Sequence, residues 1–133
     1  MRAHVDGVRN LLKAAGITAY WVDVPVEPTY PYALLWGPNW GVSNEVPLSG
    51  DDTGMDRNLM VTSVAVNPDL VLTFAGLVKG VLHKSSPIVA GRATDLHYLR
   101  SEVAVVDRQV TLPDSNRHPA YSVEAYRYRS TKI

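Results

Sequence analysis

The side chains that titrate nearest neutrality in this 133-residue chain are four histidines, His4, His83, His97 and His118. They lie far apart in the sequence and in no metal-ligand spacing, which predicts ordinary surface or hydrogen-bonding roles for them. Proton-transfer and nucleophilic chemistry need a base beside a nucleophile, or paired carboxylates at close range, and no local pattern of that kind occurs. Asp51, Asp52 and Asp56 cluster around Gly54 in an oxygen-rich segment, but the alternating ligands and terminal Glu of an EF-hand loop are missing. A solvated loop is the better account of them. The chain has neither a phosphate-binding glycine loop nor a G-x-S-x-G elbow, and Gly76 and Gly80 fall inside a helical pattern, not before one. With no cysteine there is no thiolate nucleophile, no disulfide framework and no sulfur-ligated zinc. The set that remains for a small ligand-binding or hydrolytic domain is His97 with Asp95 and Asp107, which would require a deep pocket and a monomer or dimer.

Elements that would position these residues follow from periodicity. Val5, Val8, Leu12 and Ala15 recur at spacings of three and four, with Gly16 as a C-terminal stop, predicting a helix over 3–15. Strands are expected over 18–24 and 30–36, where Tyr20, Val22 and Val24, then Tyr32, Leu34 and Trp36, alternate with their neighbours; a short Pro-containing link lets the two form a hairpin. Residues 37–56 lack either period and read as a long loop, the first place to look for a partner contact. A Val- and Thr-rich strand follows over 58–66. Asn67 and Pro68 then supply an N-cap and a first-turn proline, with Asp69 at the positive end of the dipole. The helix they open carries Leu70, Phe74, Leu77, Val78, Val81 and Leu82 on one stripe and runs to His83. Leu96, Tyr98, Val103, Val105 and Val106 suggest one strand or a bent pair, continuing past Asp107 toward Val110 and Leu112. A polar turn over 113–119 leads into a last strand over 121–129. The order predicts a single α+β domain over 1–133, with a mostly antiparallel sheet of four to five strands and two helices packed on one face.

Thirteen basic and thirteen acidic side chains cancel, so net charge offers no pull toward nucleic acid or an anionic membrane. No stretch reaches the roughly 20 apolar residues that span a bilayer, and the N-terminus reads as an amphipathic helix, not a signal peptide; a cytosolic site of synthesis is expected. Gly76 and Gly80 would each cost a helix about 1 kcal/mol relative to alanine unless another backbone comes close, either the first helix, which is the favoured partner, or a neighbouring subunit. Tyr126 and Tyr128 interleave with Arg127, Arg129 and Lys132 in a pattern that can stack on bases, though an exposed edge strand guarded by charge is the simpler account. Trp21, Trp36 and Trp40 suit an interface, with core packing explaining at least one of them.

Taken in order, an N-terminal helix, "AYWVDVP", "YPYALLWG", a polar loop with glycine and aspartate, "NLMVTSVAV", a helix ending in "VKGVL", "GRATDL" and a late "RHPAYSVEAYRY" resemble the small tail terminator proteins of long-tailed, siphovirus-type bacteriophages, particularly those infecting actinobacteria. The resemblance covers nearly the full length and lies in order, length and strand texture. It implies a structural virion protein without a cofactor that forms a ring, usually of six copies. Such a ring caps the tail tube, meets the head-completion (neck) proteins at the tail–neck junction, and lets genomic DNA pass through its lumen without specific binding. Assembly would take place in the host cytoplasm with no membrane involved. The Asp51 and Asp52 pair would repel the passing phosphates. Candidate contact residues are Trp36, Trp40, Asp51, Asp52, Asp56, Arg57, Gly76, Gly80, Tyr126, Arg127, Tyr128 and Arg129. Other head-to-tail joining proteins and tail tube subunits are the near alternatives; the interlocking barrel of a tube subunit would ask for longer alternating strands than the sequence pattern suggests.

Overall fold

In a computed structural model of the chain, residues 2–25, 28–37, 54–102, 104–112 and 117–133 are described. Helix α1 spans Arg2–Ala14 and ends as the sequence predicts: Gly16 takes a positive φ of 77°, and the Ile17 N–H reaches back to the Leu12 carbonyl at 2.9 Å. Strands β1 (Ala19–Trp21) and β2 (Tyr32–Trp36) follow, then β3 (Gly54–Ala65), α2 (Pro68–Leu82), β4 (Arg92–Ser101), β5 (Val105–Val106) and β6 (Ala120–Lys132). The sheet runs β1-β2-β3-β6-β4, with β5 also paired to β6, and every pairing but the first is antiparallel. Both helices lie on one face, where Val5, Val8 and Leu12 of α1 and Phe74, Val78 and Leu82 of α2 meet Leu35, Leu59, Val61, Leu96, Tyr126 and Tyr128. The α+β architecture expected from the sequence is therefore present.

Several local expectations are corrected. The first two strands pair in parallel, Ala19 beside Ala33 and Trp21 beside Leu35, so they do not form a hairpin. The reason is at Val22, whose φ of 66° and the 2.7 Å bond from the Asp23 N–H to the Trp21 carbonyl make a strained γ-turn that stops β1 after three residues. The expected 37–56 loop ends early, because β3 begins at Gly54 and pairs with β6 through its whole length, Gly54 against Thr131 to Ala65 against Ala120. At 12 and 13 residues β3 and β6 exceed the strands the sequence pattern suggested. The 92–106 region resolves into two strands, the first carrying a register shift between Tyr98 and Arg100 in its pairing with β6, and does not continue past Asp107, whose N–H instead bonds the Pro119 carbonyl at 2.8 Å.

Helix α2 starts as predicted, Asn67 Oδ1 accepting the Leu70 N–H at 2.9 Å with Pro68 next in line. Its buried stripe is Val71, Phe74, Val78 and Leu82, narrower than expected. Leu70 and Leu77, assigned to the core by periodicity, are 47% and 59% exposed, and Leu72 is 61% exposed. The close helix approach occurs at Gly7, where a Cβ would stand 3.0 Å from the Ile88 carbonyl oxygen and 3.2 Å from Pro87 Cβ. Nothing lies within 4 Å of a Cβ built at Gly76 or Gly80, so α1 does not approach them.

Candidate assembly surfaces

Alternation along β6 decides where its residues can act. Tyr126 and Tyr128 are fully buried beneath the helices, the Tyr128 hydroxyl donating to the His4 carbonyl at 3.0 Å and the Tyr126 ring meeting Tyr98 edge-on at 5.7 Å. Neither can stack on a base or touch a partner while the domain is folded. Nor is β6 an edge strand, since β3 flanks it on one side and β4 and β5 on the other.

Arg127 and Arg129 point the opposite way and are held by carboxylates on the neighbouring strands. Arg127 grips Asp56 of β3 through Nε at 2.9 Å and Nη2 at 2.5 Å, and Arg129 grips Asp95 of β4 at 3.1 and 2.9 Å. The Asp56–Arg127 hydrogen bond is the main cause that lowers the Asp56 pKa and raises that of Arg127. Asp56 is thus a strand residue in a two-pronged ion pair, not part of a solvated acidic loop. Arg57, next along β3, is opposite Tyr128 and so faces the helices. Trp36 is on the open face, 36% exposed, its indole N–H donating to Thr62 Oγ1 at 3.0 Å, whereas Trp21 packs against the core. Trp40, Asp51 and Asp52, and most of the 37–56 segment, lie outside the described residues.

The hydrolytic set is dispersed. Asp95 is engaged by Arg129, and His97 sits opposite Arg127 on β6, while Asp107 follows β5 beside Ala120. Seven residues of strand separate those two positions on β6, roughly 20 Å at 3.3 Å per residue. His97 instead meets His83, ring centroids 5.9 Å apart, a proximity the sequence did not disclose. His83 Nδ1 accepts the Tyr98 N–H at 3.0 Å, so that nitrogen carries no proton. Desolvation first, then Lys84, His97 and Lys79, lower the His83 pKa and favour the same neutral form. Among the described residues no three His, Cys, Asp or Glu side chains gather as a metal would require. His4 bonds Ser130 Oγ at 2.9 Å inside the core, and His118 Nδ1 donates to the Val110 carbonyl at 2.6 Å.

Two surfaces are left with apolar groups and no covering element among the described residues. One is the outer side of α2: Leu72 and Leu77 flank the bare backbone at Gly76 and Gly80, and beside it Leu70, Leu77, Phe74 and Pro31 line an apolar groove of about 350 Å³. The other is the end of the opposite sheet face away from β5, where Trp36 of β2 stands beside Met60 of β3.

No family model and no curated protein matches the sequence. Among solved structures, the chain is similar to a chain in the virion of a native gene transfer agent particle, with a TM-score of 0.58 and 18% identity, covering 98% of this chain and 92% of that one. The two chains share a fold over nearly their whole lengths.

Proposed function

We propose that the chain is a structural protein of a virion-type particle and acts by assembling with copies of itself and with other particle proteins. The observation that carries this reading is the shared fold with a chain of a gene transfer agent virion across nearly the full length of both. The finer assignment is the tail terminator: a ring, six copies in the resembling family, that caps the tail tube, ends its growth and joins it to the neck. It is supported by the order of segments from "AYWVDVP" to "RHPAYSVEAYRY" and by two uncovered apolar surfaces on opposite sides of a two-layer domain. In this reading the seam at Gly76 and Gly80 meets a neighbouring copy, the second of the two partners the sequence allowed. DNA passes through the lumen unread, and the role needs no catalysis and no cofactor.

Strand length no longer argues against a tube subunit, because β3 and β6 are longer than the sequence pattern suggested. Assembly behaviour separates it from a terminator. Added to growing tail tubes, the purified chain is expected to bind tube ends and fix their length, seen by negative-stain imaging. Incorporation along the tube wall would make it a tube subunit, and tubes that grow on undisturbed would overturn the terminator assignment.

A further inference from the structure

At the end of the open sheet face nearest β5, the segment after Asp107 folds back over the strands. Two bonds fix it there: the Asp107 N–H to the Pro119 carbonyl at 2.8 Å, and His118 Nδ1 to the Val110 carbonyl at 2.6 Å. Beneath it is a cavity of about 250 Å³ walled by Tyr30, Tyr32, Tyr121, Thr62, Val110 and Asp107. Tyr32 packs against Tyr20 at 5.4 Å and Tyr30 at 5.5 Å between ring centroids, so the aromatic wall is braced from behind. Burial, with Tyr30, Tyr20 and Asp107 adding to it, pushes the Tyr32 pKa up to about 12, and Asp107 also raises Tyr30; its carboxylate is therefore within electrostatic reach of both phenols. Asp107 Oδ1 accepts the Gln109 N–H at 3.1 Å, and no lysine, arginine or histidine pairs with Asp107 among the described residues.

An aromatic-walled cavity with one unneutralised carboxylate favours a cation, attracted by ring quadrupoles and by the full negative charge together. The volume falls below the roughly 300–1,000 Å³ that encloses drug-sized ligands, and suits a single side chain. We propose that the Tyr30–Tyr32–Tyr121–Asp107 cavity is a binding site for a cationic side chain, arginine or lysine, presented by another protein chain. The site does not depend on the terminator reading; it needs only a partner that reaches the open face.

Ring-proton NMR of the full chain, titrated with N-acetyl-arginine methylamide, N-acetyl-lysine methylamide, the neutral N-acetyl-citrulline methylamide and tetramethylammonium, tests this. Saturable shifts of the Tyr30, Tyr32 and Tyr121 rings are expected with the arginine or the lysine probe, in the millimolar range usual for such small contacts, and no saturation with citrulline. Asp107→Asn keeps an oxygen for the Gln109 N–H and so preserves the fold, which the amide spectrum checks; it should weaken the cation at least about tenfold. Equal binding of citrulline, undiminished binding to D107N, or no saturable shift with either cation would each overturn the site. Tighter binding of tetramethylammonium than of both side-chain probes would overturn its assignment to a protein partner.

Discussion

Along β6, Tyr126 and Tyr128 are fully buried while Arg127 and Arg129 stand in solvent, and the same alternation divides β3 into Leu59 and Val61 on one side, Asp56 and Met60 on the other. One face of the sheet is closed by α1 and α2 into a packed core. The other mixes ion pairs, apolar side chains and a tyrosine-lined cavity. Strand geometry makes these two faces out of one sequence, and the difference shows that the side chains on the covered side build the core while those on the other remain partly in solvent.

The sharpest break of that comparison comes from neighbours on one strand. Leu59→Ala is expected to cost about 2–5 kcal/mol in denaturant unfolding, because the fully enclosed site cannot collapse around the lost methyls. Met60→Ala, half-buried on the opposite face, should cost clearly less; equal losses would mean that the open face is also core. On the covered side, Gly7→Val should cost about 1–3 kcal/mol, since its added atoms meet the Ile88 carbonyl and Pro87 where no void exists. A melting temperature unchanged by that substitution would refute the close approach of α1 to 87–89.

Smaller effects separate the faces by charge. Glu124 is a carboxylate on the buried side, and desolvation raises its pKa against the opposing pull of hydrogen bonds from Ser122 at 2.9 Å and Ser63 at 3.5 Å. A carboxyl whose folded pKa lies above its unfolded one favours the native state most below the unfolded value, near 4.3. That advantage is lost as pH rises through the folded pKa. Glu124→Gln should therefore flatten this fall, gaining on the parent more at pH 8 than at pH 4 in paired chemical denaturation curves. A constant difference across that range would remove Glu124 from the pH dependence. The smallest change is on the open face: Asp95→Ala, which breaks an ion pair whose side chains are 45% and 37% exposed, should alter stability by no more than about 1 kcal/mol.

How far the sequence discloses this molecule depends on whether the cause is local. Gly16 ends α1, and Asn67 with Pro68 opens α2, because each residue acts on its own backbone. Period two along β6 is equally visible, but which of its faces the helices cover depends on residues more than a hundred positions away, such as His4, which receives the Tyr128 hydroxyl. Interleaved Tyr and Arg therefore read as one surface when they are two. The parallel pairing of β1 and β2 depends on a γ-turn at Val22, a β-branched residue that by its type argues for continued strand. Asp107 was legible as a residue of chemical interest, yet its tyrosine neighbours reach it only through the placement of Asp107, Val110 and Pro119 against the sheet.

The account rests on α2 presenting a surface for another copy of the chain. Light scattering of the purified protein, run beside a Leu72→Glu/Leu77→Glu variant whose changes lie in exposed positions, measures this directly. The parent is expected to reach the mass of a small closed multiple, six under the ring reading, and the variant to remain monomeric with an unchanged melting curve. A parent that stays monomeric at every concentration, or a variant that assembles as well as the parent, would contradict it.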